Sequence, residues 1–168
     1  MRSRLDRFVE DALEDFSHWF LSASWQGKER DCVNLFAHRF LAAQIQPGAA
    51  VSDLAQVRIE GAVPQPRACS RQSAPKDLVI WNDALATAWD ENWRAAHHPR
   101  LVMEWKLSRS GRSPKSFSQH DVSWLTAFTA EYPDTFGYLV RVHAASGVRT
   151  VDWAKVRCGA INETNRRS

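Results

Sequence analysis

One seven-residue stretch decides the fold: Leu101-Val102-Met103-Glu104-Trp105-Lys106-Leu107. Successive side chains of a β-strand point to opposite faces of a sheet. Glu104 and Lys106 are therefore expected side by side on one face, with Val102 beside them, while the other residues of the stretch form an apolar opposite face. This pattern predicts a strand that holds a carboxylate next to an ammonium group, with a hydrophobic back.

A second apolar strand lies upstream, at Asp77-Leu78-Val79-Ile80-Trp81. If the two strands are neighbours, the carboxylate of Asp77 approaches that of Glu104. Two close carboxylates repel each other, and a bound divalent cation relieves the repulsion. Oxygen ligands favour Mg²⁺ or Mn²⁺ over zinc. Lys106, one pleat away, could orient a metal-bound water or stabilise negative charge on a phosphate.

The rest of the chain predicts one mixed α/β domain. Helical spacing of apolar residues indicates a long amphipathic helix from Leu5 to Phe20 and a second one over 28–44. A further helix is expected over 118–132. Alternating runs predict three more strands, over 56–60, 136–143 and 148–153.

The predicted domain, 1–168, has a core over 28–143 and three additions. Residues 1–25 form an N-terminal helical extension, and residues 162–168 form a polar, flexible tail. Between Asn82 and Pro99, apolar residues that include Trp89 and Trp93 share one helical face, which predicts a short helical insert. That face is expected to pack in the core, although base stacking or a dimer contact stays open.

Composition sets the remaining limits. The 168 residues carry a formal charge of +3 and a pI of about 9.0, which permits binding to a polyanion without establishing it. No apolar run approaches the length of a membrane span, and no signal peptide is evident. The three cysteines are far apart and form no Cys-x-x-Cys pair. A cytoplasmic protein without disulfides or membrane contact is expected.

The acids and the lysine resemble a known family. Asp77, followed twenty-seven positions later by Glu104-Trp105-Lys106, is similar to the motif of the PD-(D/E)XK nuclease superfamily, which has the restriction-endonuclease-like fold. The predicted order of helices and strands over 28–143 matches that fold. The resemblance implies a central mixed sheet flanked by helices. Two departures are a proline displaced to Pro75 and the long insert at 82–99.

The resemblance also implies a role for each matching residue. Asp77 and Glu104 would hold Mg²⁺ or Mn²⁺ through their carboxylates, and Trp105 would add its backbone carbonyl. Lys106 would position or activate the attacking water. A further acid from the first core helix matches Glu29, whose helical stripe faces the sheet, although a glutamate there could simply favour the helix dipole.

Basic residues next to this motif are candidates for contact with nucleic acid. Arg109, Arg112 and Lys115 follow Lys106 in a loop that could bind phosphates or could simply be solvated. His120 could touch the substrate, whereas the neighbouring Ser118 and Asp121 are ordinary helix-capping residues.

We therefore expect a Mg²⁺-dependent nuclease, an endonuclease of the PD-(D/E)XK type, that hydrolyses phosphodiester bonds in nucleic acid, preferentially DNA. The alternative is a non-catalytic module on the same fold that binds nucleic acid or protein within a larger assembly. A homodimer or a partner subunit is compatible with either function. A coincidental Glu-x-Lys triplet on a solvated strand face is the third interpretation.

Overall fold

Helices cover both faces of a mixed β-sheet. A computed structural model describes residues 3–67, 71–109, 116–145 and 147–168. Within those ranges the helices and strands, in chain order, are α1 (Arg4–Ser22), α2 (Glu29–Leu35), β1 (Val57–Pro64), β2 (Ser73–Ile80), β3 (Leu101–Ser108), α3 (Gln119–Glu131), β4 (Phe136–Ala145), β5 (Val148–Arg157) and β6 (Ala160–Arg167). The predicted α/β class with a central mixed sheet is confirmed.

The sheet follows chain order, β1-β2-β3-β4-β5-β6. Only β3 and β4 pair in parallel, and α3 makes the crossover between them, while the other pairs are antiparallel. The β2–β3 pairing is short, from Ile80↔Leu101 to Leu78↔Met103. Pairing of β3 with β4 continues to Ser108↔His143. The second half of β3 is therefore paired with β4 along one edge. Its other edge is not paired with β2, because β2 has already diverged.

The first hydrophobic core joins α1 and α2 to one face of the sheet. The ring of Phe16 on α1 packs edge-on against Trp105 of β3, with centroids 5.5 Å apart, and Phe36 contacts both rings. Because Phe16 and Leu13 are completely buried, α1 belongs to this core. The N-terminal helix, predicted as an extension to a 28–143 core, thus shares its apolar face with that core.

The second hydrophobic core joins α3 to the opposite face of the sheet. Leu125 and Phe128 of α3 pack against side chains that include Val102 of β3 and Leu139 of β4. A methyl group on Gly137 of β4 would lie 2.5 Å from Leu125, so the absence of a side chain there lets α3 approach the sheet closely. The contact lies at Leu125, in the middle of α3, the helix that also carries Asp121.

The predicted helix over 28–44 begins as α2 and continues as a π-helical segment, Phe36–Leu41, and a short 3-10 turn, Ala42–Gln44. The apolar residues of the π-helical segment, which include Phe36 and Phe40, are buried in the first core. None of the described helices is long and apolar enough to cross a bilayer.

The segment between Asn82 and Pro99 is not helical, which corrects the predicted insert. It forms turns and one isolated bridge, Trp89↔Ala95. The Oδ1 atom of Asp90 accepts hydrogen bonds from two backbone N–H groups, 2.8 Å from Asn92 N and 2.9 Å from Arg94 N. Such bonds compete with helical hydrogen bonding. The expected apolar stripe does not form, because Trp93 is exposed and has a left-handed φ of 58°.

The C-terminal residues are also more ordered than their composition indicates. Residues 162–168 were expected to form a flexible tail, yet all but the last lie in β6, which pairs with β5 from Arg157↔Ala160 to Val151↔Arg167. Gly159, with φ 78°, makes the tight turn between the two strands. Backbone pairing to a long neighbour orders this polar segment despite its lack of apolar residues.

Candidate active site

Asp77 lies at the point where β2 and β3 diverge. The backbone N–H of Trp105 donates a hydrogen bond of 2.7 Å to Asp77 Oδ2. Trp105 follows Glu104 in β3, so the structure places the two acids of the motif next to each other. The strands β2 and β3 are neighbours, as the sequence interpretation assumed, although their pairing ends at Leu78↔Met103, just before Asp77 and Glu104. The side chain of Trp105 points to the first core.

Glu29 is the first residue of α2 and reaches the same edge of β3. The backbone N–H of Leu107 donates a 2.8 Å hydrogen bond to Glu29 Oε2. The side chain of Glu29 therefore points toward the sheet, as predicted. Amide groups two residues apart in a strand point to the same edge, so Asp77 and Glu29 take up the edge donors that β2 leaves unpaired.

Lys106 lies among carboxylates from other elements. Its Nζ atom is 3.5 Å from Glu29 Oε1 and 3.6 Å from Asp121 Oδ2. Burial lowers the pKa of Lys106, but the nearby carboxylates of Glu29, Asp121, Asp77 and Glu104 outweigh that effect and raise it above its ordinary value. Lys106 therefore stays charged, and its side chain remains half exposed.

Asp121 is a site residue that the sequence interpretation assigned to helix capping. The cap is Ser118, and the side chain of Asp121 points instead to Lys106. Asp121 is 7% exposed, and its Oδ2 atom has no hydrogen-bond partner in the described part of the chain. The signal was available, because Asp121 precedes Leu125 and Phe128 by four and seven residues and so shares their buried helix face.

Lys76 is the second residue that sequence reasoning missed. Its Nζ atom lies 2.5 Å from Glu104 Oε1 and 3.4 Å from the centre of the Trp124 ring. Burial raises the pKa of Glu104 to about 7; Lys76 opposes that shift, and the nearby Asp77 adds to it. Glu104 can therefore exchange a proton near neutral pH.

A break in strand alternation brings Lys76 to this face. Lys76 pairs with Gly61 of β1, and a Cβ on Gly61 would lie 2.3 Å from Val79. Cross-strand partners share a face, so Lys76 and Val79, three residues apart, lie on the same side of the sheet. Glu60, with a left-handed φ of 52°, marks the irregularity in β1. Asp77 is thereby directed sideways, toward the edge of β3.

A cleft of about 350 Å³ opens beside these side chains. Its lining includes Glu104, Lys106, Asp121 and Arg141. The predicted nucleic-acid contacts are placed elsewhere or lie outside the described residues. Arg109 is exposed and lines a neighbouring groove, and His120 is exposed on the first turn of α3. Arg112 and Lys115 belong to the segment 110–115, which the structure does not describe.

The acids of this site could take a divalent cation only with few protein ligands. Within the described ranges no group of three or more acidic, histidine or cysteine side chains is arranged to hold a metal. Magnesium is nevertheless commonly bound by only one or two carboxylates and completed by water. The neighbouring carboxylates of Asp77 and Glu104 fit such a water-rich site, and Asp121 Oδ2, which has no hydrogen bond among the described residues, could accept one from a metal-bound water. Lys76 would have to share Glu104 with the cation or release it.

No protein-family model, curated protein or solved structure matches this chain significantly. Its function must therefore be inferred from the site itself.

Proposed function

We propose that this protein is a Mg²⁺- or Mn²⁺-dependent nuclease of the PD-(D/E)XK type that hydrolyses phosphodiester bonds, with DNA as the preferred substrate. One observation carries the proposal. Carboxylates from β2, β3, α2 and α3 meet around one lysine of β3, Lys106, beside a cleft. The order α2, β1 to β3, α3 and β4 supports the finer assignment to a restriction-endonuclease-like core.

The lysine and the acids of the site would have different roles in hydrolysis. Lys106, held between Glu29 and Asp121 and half exposed, would orient the attacking water at the cleft. Glu104, with a pKa of about 7, can hold or release a proton at neutral pH. Asp77 and Glu104 would hold the cation through their carboxylates, and water would complete its set of ligands. When bound, the cation would stabilise negative charge that develops on the phosphate.

Nicking of a supercoiled plasmid tests this proposal. We expect wild-type protein to nick the plasmid with magnesium or manganese and to be inactive with chelator. Lys106→Ala should lower the rate by about 100-fold or more, within the range for loss of a positioned acid–base group. Lys28→Ala is the matched control, since Lys28 is exposed and is not among the residues that line the cleft. Full activity of Lys106→Ala would contradict the proposal.

A second candidate is a non-catalytic binding module on the same fold, and one observation favours it. The buried ammonium of Lys76 already neutralises Glu104 without any metal. If this is the working state, manganese should leave the melting temperature unchanged. Stabilisation by manganese that disappears in Glu104→Ala would instead favour the enzyme.

A further inference from the structure

Arg141, on β4, has one guanidinium nitrogen that the fold does not use. Its Nε and Nη2 atoms donate to Asp152 Oδ2 at 3.1 and 2.9 Å. The third nitrogen, Nη1, is buried and has no hydrogen-bond partner in the described ranges, and Arg141 is only 6% exposed. A buried guanidinium N–H without a partner destabilises the fold. The ion pair with Asp152 alone therefore does not explain why an arginine occupies this position.

The charge around Arg141 is also incompletely balanced. Asp152 lies 3.5 Å from Arg166 as well, so two guanidinium groups share a single carboxylate. In the β3–β4 register Arg141 is directly opposite Lys106, which places a second cation beside it on the same face of the sheet. Lys106 is balanced by Glu29 and Asp121, whereas Arg141 has only the carboxylate that it shares with Arg166.

The cleft is lined by groups of both charges. Arg141 and Lys106 line it together with Glu104 and Asp121, and Asp121 is also an ion-pair partner of Lys106. The Arg141 guanidinium stacks 5.1 Å from the Phe117 ring, which also lines the cleft, and this contact restricts its orientation. An anionic group in this cleft would lie near two neighbouring cations, Arg141 with its unused Nη1 and Lys106 directly across the strand pair.

We infer that Arg141 is a phosphate-binding residue, whose Nη1, together with Lys106, holds a backbone phosphate of the nucleic acid in this cleft. The inference rests on the proposed nuclease function for the source of the phosphate. Guanidinium–phosphate hydrogen bonds are charge-assisted and directional. The contact with Asp152 keeps the side chain in place before binding, so that little rotamer freedom is lost when the phosphate arrives.

Oligonucleotide binding, measured by fluorescence anisotropy in chelator, tests this inference without requiring turnover. Arg141→Lys keeps a charge for Asp152 but removes the guanidinium and with it the unused nitrogen Nη1. The double variant Arg141→Met/Asp152→Leu removes the whole buried pair, a replacement that proteins often tolerate. Arg166→Met is the matched control, because Arg166 shares Asp152 but is largely exposed.

We expect both Arg141 variants to melt cooperatively and to bind a short DNA duplex about tenfold more weakly. In the double variant, the slope of log affinity against log salt should also fall by about one, which corresponds to one lost phosphate contact. Arg166→Met should keep the wild-type affinity. Folded Arg141 variants with wild-type affinity and salt slope would overturn the inference.

A wild-type protein that does not bind the duplex would argue against the nuclease function. The phosphate site is then decided by thermal melting in inorganic phosphate against chloride at equal ionic strength. If phosphate raises the melting temperature of wild type but not that of Arg141→Lys, the phosphate site is supported. If phosphate does not raise the melting temperature of wild type, the site is refuted. The wild-type measurement does not depend on whether any variant folds.

Discussion

The ammonium of Lys76 lies 2.5 Å from the carboxylate of Glu104, and both side chains are more than nine-tenths buried. The acid expected to hold a metal thus already has a cationic partner from its own chain. A bound metal would have to compete with Lys76 or share Glu104 with it. The Lys76–Glu104 ion pair therefore affects the metal affinity of the site, the pH dependence of folding and the stability of the protein.

Lys76→Met should destabilise the protein in chelator by about 3–5 kcal/mol at mildly alkaline pH, because it leaves the Glu104 carboxylate buried without a counter-charge. Manganese should then stabilise the variant more than wild type, since the cation no longer competes with an ammonium. Urea unfolding with and without manganese measures both effects.

The double variant Lys76→Met/Glu104→Gln is the control for that experiment. Because it removes both charges, it should recover part of the lost stability and should not respond to manganese through Glu104. Equal manganese responses of Lys76→Met and wild type would show that no cation binds at Glu104.

The stability of wild type should fall as pH rises through neutrality. Burial raises the pKa of Glu104 from 4.5 to about 7, so the folded state binds this proton more tightly than the unfolded chain. The associated stabilisation is fully present below about pH 4.5 and is lost as pH approaches 7. Relative to Glu104→Gln, the free energy of unfolding should decrease by on the order of 3 kcal/mol between about pH 5 and pH 8. Parallel pH profiles of the two proteins would contradict this.

Asp121→Asn should reduce nicking by about 10- to 100-fold with little loss of stability, because Asp121 contributes charge near Lys106 but its Oδ2 makes no hydrogen bond with described residues. The substitution should also lower the pKa of Glu104, since the Asp121 charge helps to raise it. Activity and its pH profile are the measurements. Asp134→Asn, an exposed acid just beyond α3, is the control and should behave as wild type.

Gly137→Ala should disturb the site from a distance. Its methyl group would meet the fully buried Leu125 at 2.5 Å, so α3 must move away from β4 or the side chain must leave its rotamer. Overpacking of this kind costs about 1–3 kcal/mol. Because α3 carries Asp121, nicking should fall as well. Thermal melting and nicking of Gly137→Ala check this prediction. The double variant Gly137→Ala/Leu125→Ala, which restores space, is the control. An unchanged melting temperature of Gly137→Ala would refute the prediction.

Local periodicity predicted the elements that carry most of the site. The alternation over 101–107 corresponds to β3, and the apolar stripe that begins at Glu29 correctly oriented its carboxylate toward the sheet. The same approach failed over 82–99, where Asp90 binds backbone amides and prevents a helix. It also failed for β6, whose polar residues are ordered by pairing with β5.

The sequence by itself determined which acids and which lysine could act together, because side-chain direction within one strand or helix depends only on local periodicity. Only the tertiary structure decided which carboxylate meets which cation. The break in alternation beside Glu60 brings Lys76 to the site, the approach of α3 over Gly137 brings Asp121, and the pairing of β3 with β4 brings Arg141. These are contacts between segments far apart in the chain, and local periodicity carries no information about them.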